Sequence, residues 1–362
     1  MPKFSALTVA FVLLISLSSL TSFAQAVTSP RPASPAATIS QTVGISTVTV
    51  SYSRPAVKGR EIWGTLVPYG WNVQAFGAGN EAPWRAGANE NTVIRFSHPA
   101  MVEGQAVPAG SYGLFFVINK DNSGELILSK EFRSWGSFFY DPKQDFMRVK
   151  IQLRDVPQTE VLTYNFSNAT RTSAELALDW EKKEFPVKIE FAVDDIVIAN
   201  ATQELKGPTG FNWLGYFSAA NYILQNKVNL EQGMAWIDKA IIMNNSFLTL
   251  NVKSGILKEM GKNTEADNVM NDAVNVSTEA ELNQYADQML TAKQQDKAIE
   301  LFVLNAQRHP KSPNVWDSLG EGYALKGDKK NAVASFKKSL SMNPPANVKE
   351  NSEKYLKKLG AM

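Results

Sequence analysis

Residues 313–344 read PNVWDSLGEGYALKGDKKNAVASFKKSLSMNP. Counted from Pro313 as position 1, Trp316, Leu319, Gly320, Tyr323, Ala332, Phe336 and Pro344 fall at positions 4, 7, 8, 11, 20, 24 and 32. Apolar residues three and four apart predict two amphipathic helices that share one apolar seam. Each member of the pattern has a physical task. Gly320 lets the two helices approach closely, and Ala332 stands where a larger side chain would push them apart. Trp316, Tyr323 and Phe336 fill the space between the helices. Pro344 has no amide hydrogen to continue the second helix, so it ends it.

One period of 34 residues earlier, Leu282, Tyr285, Ala286, Ala298, Phe302 and Pro310 take the same places. The pattern resembles the tetratricopeptide repeat, departing from it at Ser339, where alanine is usual. Two weaker copies precede these. One is carried by Leu250, Ser254, Leu257, Gly261, Ala266 and Ala273, the other by Phe217, Leu224, Gly233, Ile237 and Ala240. Four repeats over 213–346, closed by a lysine-rich capping helix over 347–362, exceed the roughly three needed for a stable stack. The resemblance implies a concave face lined by the first helix of each pair. On this chain that face would carry Asn283, Asp287, Asn314, Asp317 and Glu321, a mildly acidic groove suited to a basic or polar protein segment. A purely structural spacer is the alternative reading of the same helices.

Upstream, over 40–194, the period changes to two. Val48, Val50 and Tyr52 alternate with Thr47, Thr49 and Ser51, and Met147, Val149, Ile151 and Leu153 alternate with charged or amide residues. Val187, Ile189, Phe191 and Val193 repeat the pattern. Further strands are expected over 92–97, 112–119, 125–131, 161–167 and 174–180. Turn signals at 108–110, 121–124 and 155–157 separate them. Short strands without intervening long helices predict an antiparallel β-sandwich. The expected whole is therefore an α+β two-domain chain, a β-sandwich followed by an all-α tetratricopeptide-type solenoid. A connecting helix and linker over 195–212 joins the two.

Two runs in the β-domain concentrate polar and aromatic residues: YSRPAVKGREIWG at 52–64 and WRAGANE at 84–90. Together they resemble the bacterial family of unknown function numbered 2911, found in exported proteins and often joined to tetratricopeptide repeats. Between the two runs this chain carries about a dozen extra residues, from Trp71 to Pro83. The resemblance implies no activity. By their chemistry, Arg54, Arg60, Trp63, Trp84, Arg85, Asn89 and Glu90 are the candidate ligand-binding residues, because guanidinium forks beside indole faces suit carboxylates, phosphates or sugars. The competing reading is an arginine–glutamate network through Glu61 and Glu90 that pins long loops.

Composition narrows the function further. With 37 basic and 35 acidic residues, the formal charge of +2 supplies no field for nucleic acid or an anionic membrane. The sequence has no cysteine and two histidines, His98 and His309, so no thiolate or histidine-rich metal site is expected. No glycine-rich phosphate loop or nucleophile elbow marks a cofactor or catalytic site. A glycan hydrolase working through carboxylates near the loop cluster stays as the enzymatic alternative, with Glu90, Glu103, Asp141, Asp145 and Asp155 available. At the N-terminus, Lys3, the uncharged apolar stretch 7–20 and small residues around Ala24 and Ala26 predict a signal peptide over 1–24, cut after Ala24 or Ala26. A membrane anchor is the alternative, but the apolar core is short for a span. Proline-rich TSPRPASPAAT (28–38) predicts a disordered linker over 25–39. The leading expectation is an exported periplasmic or cell-surface binding and assembly protein. Its array would take a protein partner, and its β-domain a second partner or a sugar or small anionic ligand.

Overall fold

The computed structural model describes residues 33–362. The expected signal peptide, with the linker as far as residue 32, lies outside the described residues. The chain divides into two compact units at Val193/Asp194.

In the first unit the strands are β1 (Ala36–Val43), β2 (Ser46–Ser53), β3 (Asn72–Val73), β4 (Glu81–Ala82), β5 (Val93–Phe96) and β6 (Ala100–Val102). They continue as β7 (Gln105–Val107), β8 (Gly110–Ile118), β9 (Ser123–Ser129), β10 (Asp145–Gln152), β11 (Arg154–Ser167) and β12 (Ser173–Glu190). One sheet runs β1-β2-β5-β8-β9-β10, a second β11-β12-β6-β7, and β3 pairs with β4. The two larger sheets face each other through aromatic contacts. Phe116 on β8 meets Phe185 on β12 at 4.9 Å, and Tyr52 on β2 meets Tyr164 on β11 at 4.7 Å. This is the antiparallel sandwich that the alternation predicts.

Three local expectations change. β1 begins at Ala36, inside the stretch expected to be linker. Only Val43 of its side chains is buried, and pairing with β2 from Ala36↔Ser53 to Val43↔Ser46 is what makes it a strand. Hydroxyl pairs Thr38–Ser51 (3.1 Å) and Ser40–Thr49 (3.0 Å) reinforce that edge. The strands expected at 174–180 and from 187 are one 18-residue strand, β12. Finally, the turn expected at 155–157 is absorbed into β11, whose register against β12 shifts between Asp155 and Thr159. A proline is tolerated in a strand at an edge or a bulge, and Pro157 sits on the edge strand beside that shift.

β8 is buried along Tyr112–Ile118, on both faces. Its inner face meets the opposite sheet. Its outer face, at Phe115 and Val117, is covered with Ile127 by Tyr140, Ala82 and Trp71. The extra residues between the two motif runs thus supply a lid for the sheet, with Trp71 packed on Tyr140 at 5.8 Å.

The second unit is helical: α1 (Val193–Glu204), α2 (Trp213–Asn226), α3 (Leu230–Met243), α4 (Phe247–Glu259) and α5 (Asn263–Val276). Then follow α6 (Glu279–Thr291), α7 (Gln295–Arg308), α8 (Pro313–Lys326), α9 (Lys329–Leu340) and α10 (Ala346–Lys358). α2/α3, α4/α5, α6/α7 and α8/α9 are the four expected pairs, and α10 is the cap. Capping boxes start α4 at Ser246 and α6 at Thr278 with Glu281, while Asp328 accepts the Asn331 amide at the start of α9.

A β-carbon at Gly320 would lie 2.7 Å from the Phe336 ring, which is the close approach the repeat pattern requires. Ser254 replaces that glycine in the α4/α5 pair and donates to the Ala266 carbonyl at 2.8 Å. The unusual Ser339 is also explained. Fully buried, it donates to the Pro313 carbonyl at 2.8 Å, and Asn305, one period earlier, does the same to Glu279 at 3.0 Å. The second copy is weak in sequence because α4 and α6 start 32 residues apart, not 34, with Ser277 and Thr278 the whole link between α5 and α6.

Candidate functional site

The two motif runs lie on segments that the sandwich leaves between strands: 54–70 after β2, and 83–90 before β5. Ala86 holds a left-handed conformation (φ 52°) that alanine rarely adopts, and it is fully buried. Its carbonyl accepts two hydroxyls, from Thr92 at 3.1 Å and Tyr164 at 3.0 Å, and these hold the loop in place. Asn89, at φ 63°, donates to the Ser34 carbonyl at 3.3 Å.

Together the runs wall a cleft of about 860 Å³. Of the seven predicted ligand residues, Arg54, Arg60, Trp84, Arg85 and Asn89 line it. Two do not. Trp63 is a core residue, 9% exposed, packed against Trp84, Trp180 and Phe185 and donating to Glu181 at 3.2 Å. Aromatic content signalled Trp63, but indoles at such spacing serve cores as readily as ligands. Glu90 is outside the lining and engaged elsewhere.

The arginines do pin loops, although through carbonyls where an arginine–glutamate network was the alternative. Arg54 donates to the Leu162 carbonyl (3.1 Å) and the Thr163 hydroxyl (2.7 Å), and Arg60 to the carbonyls of Val57 (3.0 Å) and Ala56. Arg85 donates to the Asn89 carbonyl at 2.6 Å, with its guanidinium 4.6 Å above the Phe138 ring. Burial pushes Arg85 below the ordinary arginine range. Sequence reasoning missed Lys58, Asn72, Gln74, Ser137 and Trp180, which also line the cleft. Lys58 sits inside the first motif run. Asn72 and Gln74 lie in the insertion, where no pattern marked them. Among the described residues lining the cleft, Arg54, Lys58, Arg60 and Arg85 carry positive charge and none is Asp or Glu.

The carboxylates available to a hydrolase are dispersed and engaged. Asp145 accepts from Tyr140 (2.6 Å) and pairs with Arg148, Asp155 pairs with Lys183, Glu103 accepts the Lys188 amide, and Asp141 caps the short turn 142–144. Burial and the neighbouring Asp145 push Tyr140 well above the usual phenol range. Among the described residues no cluster of three or more His, Cys, Asp or Glu is placed to hold a metal ion.

In the array, the predicted groove residues separate into two groups. Asp317 and Glu321 are covered by the cap: Asn351 on α10 donates to Asp317 at 2.8 Å and also to Glu321, and Ser352 donates to Asp317. Burial pushes both carboxyls above the ordinary range. Asn283 donates to Asp287 at 3.3 Å on α6, and Asn314 is half-buried at the start of α8. No described helix is long and apolar enough to cross a membrane.

No curated protein matches the chain. Among solved structures, the helical part is similar to a protein titled "YrrB: a TPR protein with an unusual peptide-binding site", at 14% identity, covering 44% of this chain and 84% of that one, TM-score 0.28. It is also similar to PilF of Pseudomonas aeruginosa, at 20% identity over 42% and 71% of the two chains, TM-score 0.28. A third is MamA, at 18% identity over 46% and 92%, TM-score 0.28. These likenesses carry no argument about function. Residues 34–189 match the family described as "Protein of unknown function (DUF2911)". That match starts two residues before β1 and ends one residue before β12 does, so it is confined to the β-domain, and the helix pairs follow it.

Proposed function

We propose that this is an exported binding protein, with the β-domain cleft as the site for a small anionic ligand and the helical array as a docking platform for a basic protein segment. One observation carries the reading: four cationic side chains surround a formed cleft whose described lining holds no carboxylate. Arg54 and Arg85 are half-buried and Lys58 and Arg60 exposed; an anionic ligand would give the two half-buried cations a counter-charge that the described lining does not supply. The platform reading is supported by the repeat pairs and by Asp287 and Asn283 on α6, since the cap engages Asp317 and Glu321. Export is supported by the charge and apolar pattern of residues 1–24.

Three arms of one experiment test the reading on the full chain. Expressed with its leader, the protein is expected outside the cytoplasm with Gln25 or Val27 as its first residue; recovery in the cytoplasm beginning at Met1 defeats export. Titration with citrate is expected to give a saturable change in tryptophan fluorescence that weakens as salt rises. No response to citrate, phosphate or other small anions defeats the cleft assignment. Pull-down from an envelope extract should lose basic partners on Asp287→Lys, and an unchanged partner profile defeats the platform.

A further inference from the structure

We infer that the ligand of the cleft is an acidic sugar, a carboxylate-bearing pyranose unit of an oligosaccharide. Its charge would sit among Lys58, Arg60 and Arg85, with its hydroxyls facing Asn72, Gln74 and Asn89. The inference rests on the anion-binding reading above and specifies its ligand.

The charge argument is strongest at Arg85. Its guanidinium lies 4.6 Å from the Phe138 ring and close against Gly136, where a β-carbon would come within 2.5 Å of it. Glycine at 136, in a left-handed conformation (φ 60°), is what leaves that slot open. Of five donor hydrogens, one meets the Asn89 carbonyl, so a planar, pre-set fork remains for a carboxylate. Lys58 forms no side-chain ion pair or hydrogen bond among the described residues and stands at the same cleft.

The amides and the indole point to a sugar. Asn72, Gln74 and Asn89 line the walls, and a primary amide both donates and accepts, as a hydroxyl-rich ring requires. Trp84 is half-exposed at the cleft and held by its stack on Trp180 (5.8 Å, 15° between planes), so it is a fixed apolar plane beside the cations. Trp180 itself lines the cleft at 1% exposure, and its indole nitrogen has no hydrogen-bond acceptor among the described residues. A buried donor left unmet is unfavourable, and a ligand hydroxyl is the kind of acceptor that would relieve it.

An extended acidic peptide fits the walls less well. Peptides that bind in extended form rely on backbone donors and acceptors of the host. Here Pro35, Pro55, Pro68 and Pro83 line the cleft and have no amide hydrogen to offer. The volume of about 860 Å³ is also far larger than an inorganic anion requires.

The test is titration calorimetry on the full chain with four probes: tetragalacturonate, neutral maltotetraose, a hexaglutamate peptide and inorganic phosphate. Tetragalacturonate is expected to bind, with maltotetraose at least tenfold weaker. Arg85→Gln should weaken tetragalacturonate about tenfold to hundredfold, and Lys58→Gln, which alters an exposed side chain and keeps the backbone amide bond to Glu160, by several-fold without disturbing the fold. Lys349→Gln on α10 should change nothing. Hexaglutamate or phosphate binding more tightly than the uronide, with the same Arg85 dependence, overturns the sugar assignment and leaves the anion site standing. Equal affinity for the two tetrasaccharides overturns the role given to the cations. Uronide binding unaffected by both Lys58→Gln and Arg85→Gln overturns the location. No binding of any probe defeats this inference and the anion-binding reading together.

Discussion

Gly320 gives the sharpest test of how the helical pairs are held together. Replacing it with alanine adds one methyl group in the middle of α8, where intrinsic helix propensity alone favours alanine by about 1 kcal/mol. The structure opposes that gain. The new β-carbon would lie 2.7, 2.8 and 2.9 Å from three carbons of the Phe336 ring, closer than carbon atoms approach without displacement. Phe336 is fully buried and stacked on Tyr355 at 5.1 Å, so the ring cannot swing aside without loosening the cap as well. Overpacking of this kind costs about 1–3 kcal/mol. The net expectation for Gly320→Ala is a loss of about 1 kcal/mol, which corresponds to a fall of roughly 2–4 °C in the melting midpoint of a unit this size. Far-UV circular dichroism of the full chain reads it at the helical transition. In a Phe336→Leu background the clash is relieved, and the same Gly320→Ala change should be neutral or stabilising, so the two substitutions should not add. A rise of several degrees in the otherwise native chain would refute the close-packing account and reduce Gly320 to an ordinary helix glycine.

Two further expectations follow from the same geometry. Burial raises the Glu321 and Asp317 carboxyls, with their mutual repulsion adding to the effect at Glu321, so in the folded chain each binds its proton more tightly than when unfolded. Groups raised in this way give most stability below their unfolded value of about 4 and lose it as pH climbs through the folded value. Glu321→Gln, which keeps an acceptor for Asn351, should therefore raise the array's melting midpoint most at pH 7 and progressively less toward pH 5; a benefit that grows on acidification contradicts the assignment. In the β-domain, Trp63→Ala should cost about 3–5 kcal/mol in denaturant unfolding, as expected for a large core aromatic. A loss below about 1 kcal/mol would show that Trp63 is not a core residue.

Much of the helical architecture was legible because the repeat is local. Gly320, Ala332 and Phe336 meet within one helix pair, so their spacing along the chain reports a contact in space. Ser339 looked like a mild departure until its hydroxyl was seen to reach the Pro313 carbonyl. The acidic face shows the limit of such local reading. Helix spacing placed Asp317 and Glu321 on one face, but it could not show that Asn351 and Ser352 would arrive from the cap to meet them. In the β-domain, polar clustering singled out the loops 54–70 and 83–90, and the fold brings five of the seven named residues to one cleft. Trp63 misled because an indole's chemistry is the same in a core and at a ligand.

The sequence by itself determined the two-part architecture, the four helix pairs and the resemblance of the β-domain, over 34–189, to a family of unknown function. These rest on periodicity and on short motifs, which depend on neighbours a few residues away. The tertiary structure alone decided that residues 36–43 form an edge strand, that the residues between the two motif runs roof the sheet and wall the cleft, and that no described residue lining that cleft is Asp or Glu. Each of these is a relation between distant segments, since strand pairing, burial and charge compensation are set by what the fold brings alongside. Residues 313–344 declared their own partner within 34 positions, whereas Arg85 needed Gly136 and Phe138 in place before its free donors meant anything.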